Sequence, residues 1–206
     1  MATRKPGRPK SDPARDLRAE LLETSRFLLE KGGPDALSMR EVARRTGCTH
    51  QAPYHYFEDR ETILATLVTD GYDDLASRLS KANDLSESAG VRAVLLASGQ
   101  AYVDFALSHP GVFRIMFRPD TCNPERFPAL QEAGARARAE LQRLNRIVHG
   151  KQATSALEMI LWAHVHGLAG LLVDGPLARQ LTSEPIRRQT LRDVGERFAD
   201  LMLPGG

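Results

Sequence analysis

The stretch Ser38-Met-Arg40-Glu-Val-Ala-Arg-Arg-Thr-Gly-Cys-Thr49-His50-Gln51-Ala-Pro-Tyr54-His55-Tyr-Phe57 concentrates hydrogen-bonding side chains at short intervals. In its second half, Thr49, His50, Gln51, Tyr54 and His55 outnumber the apolar residues. Hydroxyl, imidazole, amide and phenol groups exchange hydrogen bonds with base edges and phosphate oxygens, so the chemistry on offer is recognition rather than bond making. No carboxylate pair, nucleophile with its base, or glycine-rich phosphate loop stands at a diagnostic spacing, and the histidines are not grouped with acids. An enzyme is therefore set aside as a reading, and no cofactor is expected. His164 and His166 invite a metal, but two residues apart on a helix they point roughly 200° away from each other and cannot share one ion. No metal site is expected.

Such side chains need a scaffold that pushes them outward. Ser38 and Glu41 have the Ser-x-x-Glu spacing of a capping box and open a short helix that ends by Gly47. Thr49 can cap a third helix running through Tyr56, and Asp59 a fourth carrying Ile63, Leu64, Leu67 and Val68 on one side. Ahead of them, Leu17, Leu21, Ser25, Leu28 and Leu29 recur at helical spacing until Gly32-Gly33-Pro34 stops the first helix. Two short helices joined by a tight turn cross steeply, which favours a small residue at the contact and glycine at the turn; Ala43 and Gly47 supply them. Val42, Cys48 and Tyr56 are expected to fill the small core between. The third helix then projects and fits a major groove about 12 Å wide. An ordinary helical hairpin inside a bundle would use the same small residues.

Beyond residue 80 the pattern stays helical. A long amphipathic helix is expected over 91–107, a short one over 111–117 after His109-Pro110, then a loop to Pro128, and helices over roughly 128–149, 151–173 and 184–202. No alternating β-branched segment competes. The expected fold is all-α: a three-helix helix-turn-helix head followed by a helical bundle, about nine helices in all.

The 206 residues are 42% hydrophobic, enough for a real core, and the net charge is only +2. The charge is uneven. Residues 1–60 carry twelve Lys and Arg against nine Asp and Glu, leaving sixteen against seventeen for the rest. Residues 1–14, with three prolines and a glycine, are expected to form a flexible basic arm in which Arg4 and Arg8 meet phosphates. Its Gly-Arg-Pro core suits the minor groove of A·T-rich DNA as well as a solvated tail. Two cysteines, Cys48 and Cys122, cannot make a disulfide framework, and no apolar run is judged to approach the roughly 20 residues of a membrane span. A cytoplasmic protein without a membrane partner is expected.

The motif resembles the tetracycline-repressor-like (TetR) regulators, whose pattern is matched by Val42-Ala43, Gly47, Tyr54-His55-Tyr56-Phe57 and Arg60-Glu61 at the correct spacing over about residues 15–65. The resemblance implies that Thr49, Gln51, Tyr54 and His55 lie on a DNA-reading helix; His50, Ser38 and Arg40 are further candidate DNA contacts. It implies that Tyr54 reaches a phosphate and that Arg60, where the family usually has Lys, contacts the DNA backbone. Pro53 departs from the usual Leu or Ile, but falls within the first helical turn, where at most one bond is lost. Trp162-Ala-His-Val-His166-Gly167 is similar to the Trp-x-x-x-His-Gly element of one subset of the family.

The resemblance further implies a division into the arm, a DNA-binding domain over 15–60 and a ligand-binding and dimerisation domain over 61–206. The partners implied are a pseudo-palindromic DNA operator, a small-molecule effector and a second copy held through the last two long helices. The usual polarity is repression relieved by the effector. Phe105, Phe113, Met116, Phe117, Met159, Trp162 and His166 fall where the effector pocket forms, although their spacing suits plain core packing equally.

Overall fold

The computed structural model describes residues 16–118 and 120–203. Among them the regular structure is entirely helical, in the order α1 (Leu17–Gly32), α2 (Met39–Thr46), a 3-10 turn (Ala52–His55), α3 (Arg60–Asn83), α4 (Ser86–Ser108), α5 (Pro110–Met116), α6 (Pro128–His149), α7 (Ser155–Val173), α8 (Leu177–Gln180) and α9 (Glu184–Met202).

The head is set by local chemistry. Asp16 caps α1 by accepting from the Ala19 N–H at 3.1 Å, and α1 buries Leu21, Ser25, Leu28 and Leu29. Ser38 caps α2 through the Glu41 N–H at 3.2 Å. The expected box is only half made: the Glu41 carboxylate turns away from the cap to the guanidinium groups of Arg44 and Arg45, at 2.7 to 2.8 Å. Those two cations hold the Glu41 carboxyl down at about 2. Gly47 closes α2 in the left-handed region at φ 71°, a conformation that a Cβ would strain. Val42 and Ala43 are fully buried where α2 meets α1. The aromatic that completes this core is Phe57, 2% exposed, and not Tyr56, which is 45% exposed.

Capped by Asp59, which accepts from the Thr62 N–H at 2.8 Å, α3 runs for 24 residues, about 36 Å at 1.5 Å per residue. It starts in the head and ends deep in the body. One hydrophobic cluster accordingly extends from Leu21 and Val42 in the head through Ile63, Leu67 and Leu75 to Phe105 and Ile115 in the body. In the body, α3 packs on α4 and α6, and α4 packs on α7 and α9. Gly90 breaks the start of α4 at φ 81°, so its regular course begins at Val91, as the sequence suggests. At α5, a Cβ on Gly111 would stand 2.7 Å from the Leu29 carbonyl oxygen, so glycine is what allows α5 to lie against α1. The Glu30 carboxylate accepts from the Gly111 and Val112 N–H groups at that contact.

The body corrects two expectations. The short helix α8 interrupts what reads as a loop. Helix α7 is also long and apolar enough, with a mean hydropathy of 1.5, to pass as a membrane span by composition, although only 17% of that window is buried in the chain. Ile160, Leu171, Ile186 and Leu201 are exposed, as is Met159 at 67%.

Candidate functional site

The segment after Gly47 turns on backbone bonds that run three residues back: Ala52 N–H to the Thr49 carbonyl at 3.0 Å, Tyr54 to Gln51 at 3.2 Å, and Tyr56 to Pro53 at 3.0 Å. The expected third helix is thus a single 3-10 turn, and Thr49 does not cap it. Proline is the physical reason: Pro53 has no N–H to give, and its ring disfavours helical backbone at Ala52. Pro53 itself is buried, and its carbonyl also accepts from the Phe57 N–H, so the turn is pinned from beneath.

What the pinned turn exposes is a strip of unspent polar groups. Thr49, His50, Gln51, Tyr54 and His55 are exposed, and none of their side chains makes a hydrogen bond or ion pair among the described residues. Exposed Arg40 is likewise unpaired there. Ser38 sits at the edge with its hydroxyl committed to the α2 cap. Tyr56 joins the strip, and sequence reasoning missed it; only one of two adjacent aromatics can face inward, and Phe57 is the one that reaches the main cluster.

Arg60 departs from its expected place. Its guanidinium donates to the carbonyls of Leu37, at 2.7 Å, and Pro34, at 2.5 Å, tying the start of α3 to the α1–α2 connection. The Pro34 carbonyl also accepts from the Leu37 N–H at 3.1 Å, so the arginine adds a second donor to the segment between two helices, and its guanidinium is spent on the protein backbone. Around it, Arg126 of the α5–α6 loop bonds Glu61 at 2.6 Å and Asp59 at 2.8 Å, with Glu58 at 3.3 Å. Arg4 and Arg8 lie outside the described residues.

In the body, α3, α4, α6, α7 and α9 line an open-sided cavity of about 1040 Å³. Of the expected pocket residues, Phe117, Met159 and Trp162 line it. Phe105, Phe113 and Met116 do not; they are buried in the main core, where their bulk is already spent on packing. His166 stands behind the wall, its Nδ1 2.9 Å from the Tyr102 hydroxyl and its ring 4.6 Å from that of Phe117. Burial holds the His166 imidazole below its ordinary pKa. His164 stacks on Phe198 instead, with ring centroids 3.7 Å apart, so the two histidines do face different surroundings.

Several wall residues were not legible beforehand. Tyr72 donates its hydroxyl to the Met116 carbonyl at 2.7 Å, and burial pushes its phenol up to about 12. Buried Ser98 donates to the Asn83 side-chain oxygen at 2.5 Å, and Asn83 in turn donates to the Glu140 carboxylate at 2.9 Å. These residues sit among other polar and charged residues of their helices, so nothing local marks them as inward.

Two family models match the chain. Residues 21–67 match the model described as bacterial regulatory proteins, tetR family, and residues 95–194 match the tetracyclin repressor-like C-terminal domain. The chain belongs to the TetR family. As a TetR-family chain it is 27% identical over 106 residues to the HTH-type transcriptional regulator Rv1816 of Mycobacterium tuberculosis, a match covering 52% of this chain and 45% of that protein. The matched region thus spans under half the length of this curated relative. Among solved structures, a protein of unknown function from Rhodococcus sp. RHA1 is 28% identical, with a TM-score of 0.75 over 97% of this chain and 98% of its own. A tetR-family regulatory protein from Rhodococcus RHA1, 16% identical with a TM-score of 0.67 over 92% and 96% of the two chains, shares the fold.

Proposed function

We propose that the chain is a dimeric, DNA-binding transcriptional regulator that represses until a small molecule enters its body. The observation that carries this reading is the strip of exposed, unbonded polar side chains on the Pro53-pinned turn. Groups held rigidly and left without internal partners are suited to pair with base edges and phosphates. Thr49, Gln51 and His55 would read bases, while Tyr54, Arg40 and Ser38 would hold the backbone. The arm with Arg4 and Arg8 would add phosphate contacts. The twofold partner would cover the exposed apolar faces of α7 and α9, which accounts for α7's apolarity without a lipid. No side-chain chemistry for catalysis is invoked, and a cytoplasmic location follows from the DNA target.

The transmission route rests on α3. Phe117 and Tyr72 belong both to the cavity wall and to the packing of α5 on α3, and Arg60 fastens the start of α3 to the head. A ligand that displaces the wall would tow the head and change the separation of the two reading turns. The Trp162 to Gly167 element would serve this subset-type body by joining the wall to the dimer face.

Fluorescence anisotropy with DNA from the protein's own promoter region, across a salt series, tests the reading. Saturable, salt-sensitive binding is expected, with Tyr54→Ala weaker by about fivefold or more, on the order of 1 kcal/mol. Binding no tighter than to random DNA at every salt, with or without candidate ligands, would reject it.

A further inference from the structure

Among the charged side chains that line the cavity, the two least exposed are acids, Glu158 at 14% and Glu140 at 20%. Of the wall's arginines, Arg138 and Arg188 are 70% and 69% exposed, Arg187 at 28% is taken together with Arg188 by Glu184 of their own helix, and exposed Arg192 bonds Gln189. Resting on the reading of this cavity as the effector site, we propose that the effector is an elongated apolar cation, of the alkyl- or aryl-ammonium class, with its charged end at Glu140 and Glu158.

Neither carboxylate is well compensated from within. Glu158 meets Arg138 Nε only at 3.4 Å. Glu140 has Arg143 at 3.5 Å, but the shorter bond of that arginine, 2.6 Å, goes to Asp84. What Glu140 does have is a fixed orientation. The chain of donors from Ser98 to Asn83 to Glu140 buries a hydroxyl and an amide, a placement tolerated only because each donor finds its acceptor. The chain ends on an anion held at the cavity surface.

The rest of the wall suits the remainder of such a molecule. Leu79, Leu95, Leu144 and Val165 offer apolar contact. Tyr72 lies eleven residues from Asn83 along α3, about 16 Å, and with Phe117 it makes the end away from Asn83 aromatic, while Trp162 stands one turn from Glu158 on α7. An acyl anion of the same length would set its carboxylate against Glu140 and Glu158 in a medium that screens like charges poorly.

Trp162 is the single tryptophan of the chain and lines the cavity, so its fluorescence reports occupancy directly. The test is a titration of the full chain at pH 7 with decylamine, decanol and decanoate. Decylamine is expected to bind at least about tenfold more tightly than decanoate, and Glu158→Gln or Glu140→Gln to weaken decylamine by about tenfold while leaving decanol unchanged. Glutamine keeps an oxygen for Asn83, and unchanged helical circular dichroism checks the fold of each variant. Decanoate binding as tightly as decylamine, or an amine preference untouched by both variants, overturns the cationic assignment and leaves the cavity as an effector site. Silence of Trp162 towards all three probes overturns the cavity reading as well.

Discussion

Head and body handle polar groups in opposite ways. The head leaves Thr49, His50, Gln51, Tyr54 and His55 without internal partners on its outer face, whereas the body locks Ser98, Asn83 and Glu140 into a chain of hydrogen bonds on an inner wall. A surface that reads a large, polar partner can leave its groups to water until the partner arrives, because water satisfies them at little cost. Ser98 and Asn83 are buried behind the cavity wall and lack that reservoir, so they must hold one another. A site meant for a macromolecule is thus visible as unspent polarity, and a site meant for a small molecule as polarity spent in an unlikely place.

The sharpest way to break this contrast is to alter adjacent residues that face opposite ways. Phe57→Ala is expected to destabilise the head by about 3–5 kcal/mol, the usual cost of emptying a buried aromatic site, while Tyr56→Ala changes stability by under about 0.5 kcal/mol. Thermal or urea unfolding distinguishes them, and equal losses would mean that the inside and outside of the turn are assigned wrongly. A smaller effect is expected in the body. Ser98→Ala leaves the buried Asn83 oxygen without its donor and should cost about 1–3 kcal/mol in urea unfolding. A neutral Ser98→Ala would show that the inner chain is not under the constraint described.

Legibility follows the same division. Ser38, Gly47 and Asp59 announce their roles because capping and left-handed turns depend on the residue itself and its near neighbours. Phe57 was missed because a choice between adjacent aromatics is decided by distant packing on α1 and α3. The bonds of Arg60 were not legible because its acceptors, the Pro34 and Leu37 carbonyls, lie over twenty residues away in sequence. The cavity was the least legible part, since five helices contribute to it and its aromatic candidates looked the same whether they lined space, as Trp162 does, or filled it, as Phe105 does.

The smallest expected effect concerns pH. Burial disfavours the charged forms of His149, His164 and His166, lowering each pKa relative to the unfolded chain. The unfolded chain then takes up protons first on acidification, so the contribution of these histidines is fully present above about pH 6.5 and is lost as pH falls below it. His164→Phe, which keeps the stack on Phe198, should flatten the melting-temperature loss between pH 7 and 5.5 by roughly 1–2 °C. A steeper loss in that variant would reverse the sign of the argument.

The central claim, that the exposed turn of each of two copies reads DNA, is tested most directly by hydroxyl-radical footprinting on the protein's own promoter region. The expected result is two protected half-sites related by pseudo-twofold symmetry, their centres about 34–36 Å or a multiple apart, both weakened with Tyr54→Ala and lost when Gln51→Ala and His55→Ala are added. Uniform cleavage, or protection that survives Tyr54→Ala together with Gln51→Ala and His55→Ala, would contradict it.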